Sequence, residues 1–281
     1  MKKQLFITLV FFTFFAGYAQ RHPNKPYRSH DIGIFLGGAY YIGDLNPVKH
    51  FFMTQPAGGI FYRFNLNYRL AFRGGINFGT IQADDSQSKN ADQLERNLNF
   101  KSRIVEMYAQ AEFNFWEYKV GTTGYIFAPY IFAGIAGFQF NPQANYGNQW
   151  IDLKALSTEG QGTSLNHTKP YSLYQVSLPF GLGFKLALSK QIGIGFEWGA
   201  RKTFTDYLDD VSGTYVDPIL LSKEKGGLSA LLSNRTKNPA DFIADTGKLR
   251  GNPNTKDWYF FYGIVISFKL KEKPKECKGI F

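Results

Sequence analysis

The sequence lacks the features that would assign it to several common function classes. Its 281 residues include one cysteine, Cys277, so no disulfide can form within the chain. Of its four histidines, His22 and His30 precede the first predicted strand, and His50 and His167 have no serine or carboxylate motif beside them. No glycine-rich phosphate-binding loop opens a helix either. We therefore expect no enzyme and no bound cofactor.

Long apolar runs are also missing. The one at the start, residues 5–15, follows Lys2 and Lys3 and is succeeded by small residues up to Ala19. A helix needs about 20 apolar residues to cross a membrane, so this run is too short to be an anchor. Its pattern is that of a secretory signal peptide, and we expect residues 1–19 to be cleaved off.

Aromatic residues and glycine, in contrast, are abundant. Aromatic residues make up 17% of the chain, and 29 residues are glycine. This composition is unusual for a soluble domain but suits a membrane β-barrel, which needs aromatic girdles at both interfaces and glycine where the wall bends. Eight aromatic-rich segments are predicted to be strands: 31–43, 56–66, 68–82, 102–116, 125–140, 172–188, 191–204 and 257–270.

Side chains within these segments alternate in character. In the fourth segment, Val105 and Met107 alternate with Glu106 and Tyr108, a period of two that favours a strand over a helix. The last segment contains residues 262–268, whose polar residue, glycine, hydrophobic residue and final aromatic resemble the insertion signal that closes bacterial outer-membrane barrels.

Connections between the predicted strands are alternately long and short, as in barrels with extended outer loops and tight periplasmic turns. The sequence therefore predicts an all-β fold: an eight-stranded antiparallel up-and-down transmembrane β-barrel in the outer membrane of a Gram-negative bacterium, with both termini in the periplasm. We expect a periplasmic arm at 20–30, the barrel at 31–270 and a short periplasmic tail at 271–281. Eight strands leave an interior filled by side chains rather than a wide pore.

Charged residues occupy the inward-facing positions of several strands. Three are carboxylates and four are cations: Glu106, Glu112, Glu197, Arg63, Arg73, Lys185 and Arg201. Because buried charges must be paired, these residues predict a salt-bridged network that fills the lumen. A proton or ion path is the alternative interpretation.

Four aspartates follow the seventh predicted strand: Asp206, Asp209, Asp210 and Asp217. Dense carboxylates beside a glycine can bind calcium, but their spacing does not match an EF-hand loop. Capping of the strand end together with pairing to Arg201 and Lys202 is the preferred interpretation, so we expect no metal site. Leucines further along predict a short helix within 220–233.

The net charge of +10 raises the question of nucleic-acid binding. The basic residues do not form one stripe interleaved with stacking aromatics, so we expect no nucleic-acid partner. Many lie instead at the two ends, and the C-terminal group comprises Lys269, Lys271, Lys273, Lys275 and Lys278. Such a cluster attracts an anionic surface, either membrane lipid or an acidic protein, although a merely solvated tail is the alternative.

Several stretches together resemble one family of barrels. They are DIGIFLGG at 31–38, YIGDLNP at 41–47, EFNF at 112–115, PYIFAG at 129–134, EWGARKTFTDYLDDVS at 197–212 and DWY at 257–259. They resemble the PorG-like outer-membrane barrels of Bacteroidota over nearly the whole mature chain. The resemblance implies a noncatalytic component of the type IX secretion system, linked to gliding motility, that contacts the periplasmic ring of PorK and PorN.

The tail is the candidate region for that contact. No family motif gives Cys277 a role; we hypothesise that it engages the ring, through an intermolecular disulfide, beside Lys271, Lys273, Lys275 and Lys278. An unpaired thiol on a mobile tail is the alternative. For the whole chain, the alternative is a surface barrel whose long extracellular loops bind a ligand or a host surface.

Overall fold

The computed structural model describes residues 28–238 and 240–271. Outside these ranges lie the expected signal peptide and four of the predicted partner contacts, Lys273, Lys275, Cys277 and Lys278. No helix in the described ranges is long and apolar enough to cross a membrane.

Strands dominate this part of the chain. They are β1 (Ser29–Ile42), β2 (Gln55–Asn65), β3 (Leu70–Asp84), β4 (Asn99–Asn114), β5 (Phe127–Gln139), β6 (Pro142–Tyr146), β7 (Gln149–Asp152), β8 (Tyr174–Ala187), β9 (Ile192–Thr203) and β10 (Trp258–Lys269). The connections contain short helices: α1 (Ala91–Arg96), α2 (Pro218–Lys225), α3 (Gly227–Ser233), α4 (Asp241–Ala244) and two 3-10 helices, Asp85–Gln87 and Lys154–Leu156. The predicted helix within 220–233 is thus two helices, divided at Gly226, whose φ is +97°.

Eight of the strands close into a barrel. β1 pairs antiparallel with β2 on one side and with β10 on the other. The remaining pairs are β2–β3, β3–β4, β4–β5, β5–β8, β8–β9 and β9–β10, all antiparallel. The small β6–β7 hairpin extends the wall beyond β4. This confirms the predicted barrel, in which each of the eight long strands of the described residues is paired on both sides.

The two faces of the wall have opposite character. Outward-facing side chains are apolar and exposed, for example Leu36 (54%), Ile60 (60%) and Met107 (66%). Inward-facing side chains include charged ones such as Glu112 and Arg63, which are 0% and 2% exposed. A soluble protein has the reverse arrangement, so this wall is suited to hydrocarbon and the fold is a transmembrane β-barrel.

The connections follow the predicted asymmetry with one exception. The longer ones are 43–54, 85–98, 140–173 and 204–257, and the others are 66–69, 115–126 and 188–191. The connection after β4, predicted as a short turn at 117–124, is as long as the one after β1. Part of this connection folds into the barrel opening, where Tyr118 and Val120 are buried. The prediction was wrong there because a segment that covers an opening needs more residues than a simple reversal.

The β1–β2 connection folds back over the outside of the wall. Tyr40 faces outward yet is fully buried, because it stacks on Phe260 and is covered by His50 and Phe51. Its hydroxyl group accepts a hydrogen bond from Trp198 Nε1 at 2.9 Å and lies 3.0 Å from His50 Nδ1. The alternation of side chains along β1 correctly predicted that Tyr40 faces outward, but it could not predict the loop that covers this side chain.

Glycine lets the first and last strands come close enough to close the barrel. Gly37 of β1 lies opposite Gly263 of β10. A Cβ atom on Gly263 would lie 2.3 Å from the Leu36 carbonyl oxygen and 2.5 Å from the Gly37 Cα atom, well inside normal contact distance. A side chain at this position would therefore push the two closing strands apart.

Replacing Gly263 should weaken this closure. We expect Gly263→Ala to lower the free energy of unfolding by about 1–3 kcal/mol, the usual cost of overpacking. Gly137→Ala on β5 is the matched control, because a Cβ atom there meets nothing within 4 Å. Guanidinium unfolding in detergent, followed by the gel mobility of the folded barrel, measures both variants. Equal unfolding midpoints would contradict a tight closing pair.

Candidate functional site

The seven charged side chains predicted to share the lumen are all buried inside the barrel. β2 and β3 contribute Arg63 and Arg73, β4 contributes Glu106 and Glu112, β8 contributes Lys185, and β9 contributes Glu197 and Arg201. They share the interior because residues two apart on a strand point to the same face.

The lumen charges form two groups. Glu112 is the centre of the group that lies near the short-turn end of the barrel. Its carboxylate lies 2.9 Å from Arg63 Nε, 3.1 Å from Arg73 Nε and 2.6 Å from Lys185 Nζ. The Lys185 ammonium also lies 4.3 Å from the centre of the Tyr130 ring. One carboxylate thus holds three cations together in a space without bulk water.

Two further carboxylates complete the network, one at Arg73 and one at the remaining cation, Arg201. Glu197 accepts hydrogen bonds from Arg73 at 2.6 Å and from the Tyr130 hydroxyl group at 2.7 Å. Glu106 lies 3.1 Å from Arg201 Nε, and it accepts hydrogen bonds from Asn77 and from the Tyr259 hydroxyl group, each at 2.8 Å. Charge-assisted bonds of this kind fix the side chains and, through them, the strands that carry them.

Asp31 is a lumen charge that the sequence analysis missed. It is buried on β1, accepts a hydrogen bond from Asn65 at 2.8 Å and lies 3.8 Å from Arg63 NH1. With it, the buried charges of the eight barrel strands in the described ranges are four cations and four carboxylates. The sequence did contain the signal for it, because Asp31 is two residues from the inward-facing Gly33 and therefore points to the same side. Asp31 lies at the predicted start of its strand, however, where alternation predicts the direction of a side chain least well.

The lumen is packed rather than open. A cavity of about 10 Å³ lies between the two charged groups, beside Arg73 and Glu197, with room for one water molecule at most. Tyr118 and Val120 fill the short-turn opening, while Leu208 and Val211 of the β9–β10 connection enter the opposite opening. The arrangement gives a neutral, rigid interior, not a wide passage for solutes.

The long connections form a folded cap, joined by two arginines. Arg96 of α1 pairs with Asp85 at 2.7 Å and donates hydrogen bonds to the carbonyl oxygens of Asp44 and Arg250 at 3.0 and 2.9 Å. Three different connections meet at this one guanidinium group.

Arg250 is the second of these arginines, and it is fully buried. It lies 3.2 Å from Glu159 and 3.8 Å from Asp210, and it donates a hydrogen bond to the Ser233 carbonyl oxygen at 3.0 Å. Glu159 also accepts hydrogen bonds from the backbone N–H groups of Ser212 and Gly213. The β5–β8 and β9–β10 connections are thus held to each other.

The aspartates after β9 do not pair with Arg201 and Lys202, so the predicted pairing was wrong. Arg201 is taken by Glu106 inside the lumen, and Lys202 points outward beside Trp258. The aspartates stabilise the cap instead: Asp206 accepts from Ser212, Asp209 from Tyr41, Asp210 from Tyr171, and Asp217 caps the start of α2. In the part of the chain that the structure describes, no cluster of three or more histidine, cysteine or carboxylate side chains could hold a metal ion.

Burial raises the pKa of several cap carboxyl groups. Burial is the main cause at Asp209 and Asp257, whose pKa values lie well above the ordinary range, and repulsion between neighbouring carboxylates adds to it. Burial also raises the pKa of Asp210 and of Asp44 to about 6. The Tyr41 hydroxyl group lies 2.5 Å from Asp209 and 3.0 Å from Asp257. It has one proton to donate, so a carboxyl proton is needed to complete both contacts.

A sealed, charge-neutral lumen inside an apolar wall defines the class of this protein: a membrane β-barrel without a wide channel. The chain belongs to the family described as "Domain of unknown function (DUF6089)", whose model matches residues 2–217. No curated protein matches it.

Solved barrel structures are similar to the chain at low identity. Neisserial surface protein A (NspA) is 9% identical, with 87% of this chain and 99% of that one covered and a TM-score of 0.42. The outer membrane protein OprG from Pseudomonas aeruginosa is 10% identical, with 88% and 99% covered and a TM-score of 0.39. The attachment invasion locus protein Ail of Yersinia pestis is 9% identical, with 88% and 99% covered and a TM-score of 0.37. The barrel assignment rests on the strand pairing of this chain itself.

Removing the central carboxylate should destabilise the barrel strongly. Glu112→Gln leaves three buried cations short of a counter-charge, and we expect a loss of about 3–5 kcal/mol in the free energy of unfolding. Glu117→Gln, in the connection after β4, is the control and should change it little. Guanidinium unfolding in lipid vesicles measures both, and a loss no larger than that of the control would contradict the network.

The cap should be more stable in mild acid than at neutral pH. Its carboxyl groups bind protons more tightly when folded, so their contribution is complete below the unfolded pKa of about 4 and is lost as the pH rises through about 6. We expect amide exchange in 205–256, corrected for intrinsic rates, to be on the order of tenfold slower at about pH 5 than at about pH 7.5. Asp209→Asn should reduce this difference, whereas Asp92→Asn on α1 should not. Slower amide exchange at the higher pH would contradict the predicted stabilisation of the cap in mild acid.

Proposed function

We propose that the chain is a noncatalytic barrel of the outer membrane of a Gram-negative bacterium that anchors or organises a protein-secretion assembly. The observation that carries the proposal is a sealed lumen combined with a basic face at the short-turn end. A packed lumen offers no route for cargo, so a part in secretion has to be positional. The barrel would hold a fixed depth in the membrane while its exposed end binds a partner.

The basic face lies where the short turns and both described ends of the chain meet. Its cations are Arg28, Arg69, Lys119, Lys190, Lys269 and Lys271. Within the described residues, the acidic side chain on this face is Glu117, so six cations are accompanied by one surface carboxylate. An excess of positive charge on one end of a barrel favours an acidic protein surface or anionic head groups.

We place this face in the periplasm, since barrels of this class turn tightly there and extend their long loops outward. With the resemblance to PorG-like barrels, the partner we propose is a periplasmic secretion ring like that of PorK and PorN. Lys271 is exposed at the edge of the basic face. In this proposal the lysines that follow it, and Cys277, extend the same contact.

Reversing charge on this face should weaken the contact. For Lys190→Glu with Lys271→Glu, we expect recovery of the PorK-like ring protein in a detergent pull-down to fall on the order of tenfold, with lower cargo export from cells. The control pair, Lys89→Glu with Lys225→Glu, makes the same charge change on exposed residues at the opposite end and should leave both readouts unchanged.

Equal recovery for the two pairs would count against the basic face as the contact. A chain ending at Leu270 tests the tail separately. Unchanged recovery of the ring protein with this chain would exclude a contact made by the tail residues. Normal cargo export in cells without the protein would exclude the secretion role altogether.

Ligand binding by the outer loops is the second candidate function, favoured by a specific feature of the cap. A cavity of about 380 Å³ opens between α1 and the β9–β10 connection, beside Asp92, Glu95, Tyr215 and Lys248. This volume is within the range of small-ligand sites. Loop variants that abolish adhesion while cargo export stays normal would select this function over the first.

A further inference from the structure

We propose that the outer face of β3 and β4 binds the phosphorylated head group of an outer-leaflet lipid. Four polar side chains form the site: Thr80 and Gln82 on β3, and Lys101 and Arg103 on β4. They face outward at the long-loop end of the wall. The proposal rests on the orientation proposed above, in which the long loops lie outside the cell.

The strand register brings these four side chains together. Thr80 is paired with Arg103, and Gln82 is paired with Lys101. Directly paired residues have Cβ atoms about 5 Å apart, and residues two apart on one strand are separated by about 7 Å. The two cations and two hydrogen-bonding side chains therefore form a compact patch that one phosphate group can bridge.

Both cations are available to an anion. Neither Lys101 nor Arg103 forms an ion pair with a carboxylate of the described residues. Lys101 Nζ lies 5.2 Å from the centre of the Trp150 ring, on the β6–β7 hairpin, and Arg103 is exposed. Asp152 of the same hairpin accepts hydrogen bonds from Asn141 and Gln143.

An apolar surface continues directly from this patch toward the middle of the wall. Phe78, Val105 and Met107 are 52%, 40% and 66% exposed on the same face. From Arg103 to Phe113 the strand covers about 33 Å, which at a tilt of about 40° gives a height of roughly 25 Å, that of the apolar band of a membrane barrel. Cations above exposed hydrocarbon-facing side chains match a lipid with an anionic head group and acyl chains.

The test uses lipid A, with two phosphate groups, added to the purified full chain in detergent and measured by native mass spectrometry. We expect Lys101→Gln with Arg103→Gln to weaken binding about tenfold or more, because the charge-assisted contacts to phosphate are lost. Lys101→Arg with Arg103→Lys should retain binding. The control pair, Lys89→Gln with Lys225→Gln, removes two exposed charges outside the patch and outside the basic face, and it should bind like the original chain.

Three outcomes would overturn the proposal. The first is equal binding of lipid A and its dephosphorylated form, and the second is an equal loss of lipid A binding in the test pair and the control pair of glutamine variants. The third is full competition by inorganic phosphate at equal concentration, which would assign the patch to free phosphate. No secretion partner takes part in this measurement. Its failure therefore leaves the anchoring role intact, and failure of the ring pull-down leaves the lipid site intact.

Discussion

The charge balance of the lumen is the constraint on which the rest of the structure depends. An outer wall that meets hydrocarbon leaves the interior as the one place for polar side chains at membrane depth, and bulk water does not reach them there. Four buried cations can stay in that space because Glu106, Glu112, Glu197 and Asp31 accompany them. Removing a charge from such a set leaves another uncompensated, which costs several times more than a surface pair contributes.

Closure follows from the same polarity. Because a strand edge in lipid would expose unpaired backbone groups, β1 must meet β10 along its length, and it does so from Asp31 to Ile42. The side chains that neutralise the lumen come from six of the eight strands. The network thus ties together strands that are distant in sequence, while the cap does the same for the long connections through Arg96 and Arg250.

The sequence predicted the parts of the structure that repeat. A period of two identifies strands and tells which side chains face inward, so the seven lumen charges and the eight-stranded closure could be predicted from the sequence alone. Contacts between connections have no period. Nothing in the sequence pairs Arg250 with Glu159, or brings Leu208 into the barrel mouth, because these depend on how long segments fold over a barrel that must exist first. The wrong pairing predicted for Arg201 has the same origin, since proximity in sequence suggested the aspartates after the strand as its partners, whereas Arg201 pairs with Glu106 inside the lumen.

A filled barrel of this kind acts through its surfaces: a basic end, a folded cap and a wall in contact with lipid. The central claim is that its exterior is made for hydrocarbon and its charges are inside. The most direct measurement is sedimentation of the purified mature chain after detergent is removed in plain buffer. The account predicts that the chain aggregates unless lipid or another amphiphile is supplied. A compact, soluble monomer without any amphiphile would contradict it.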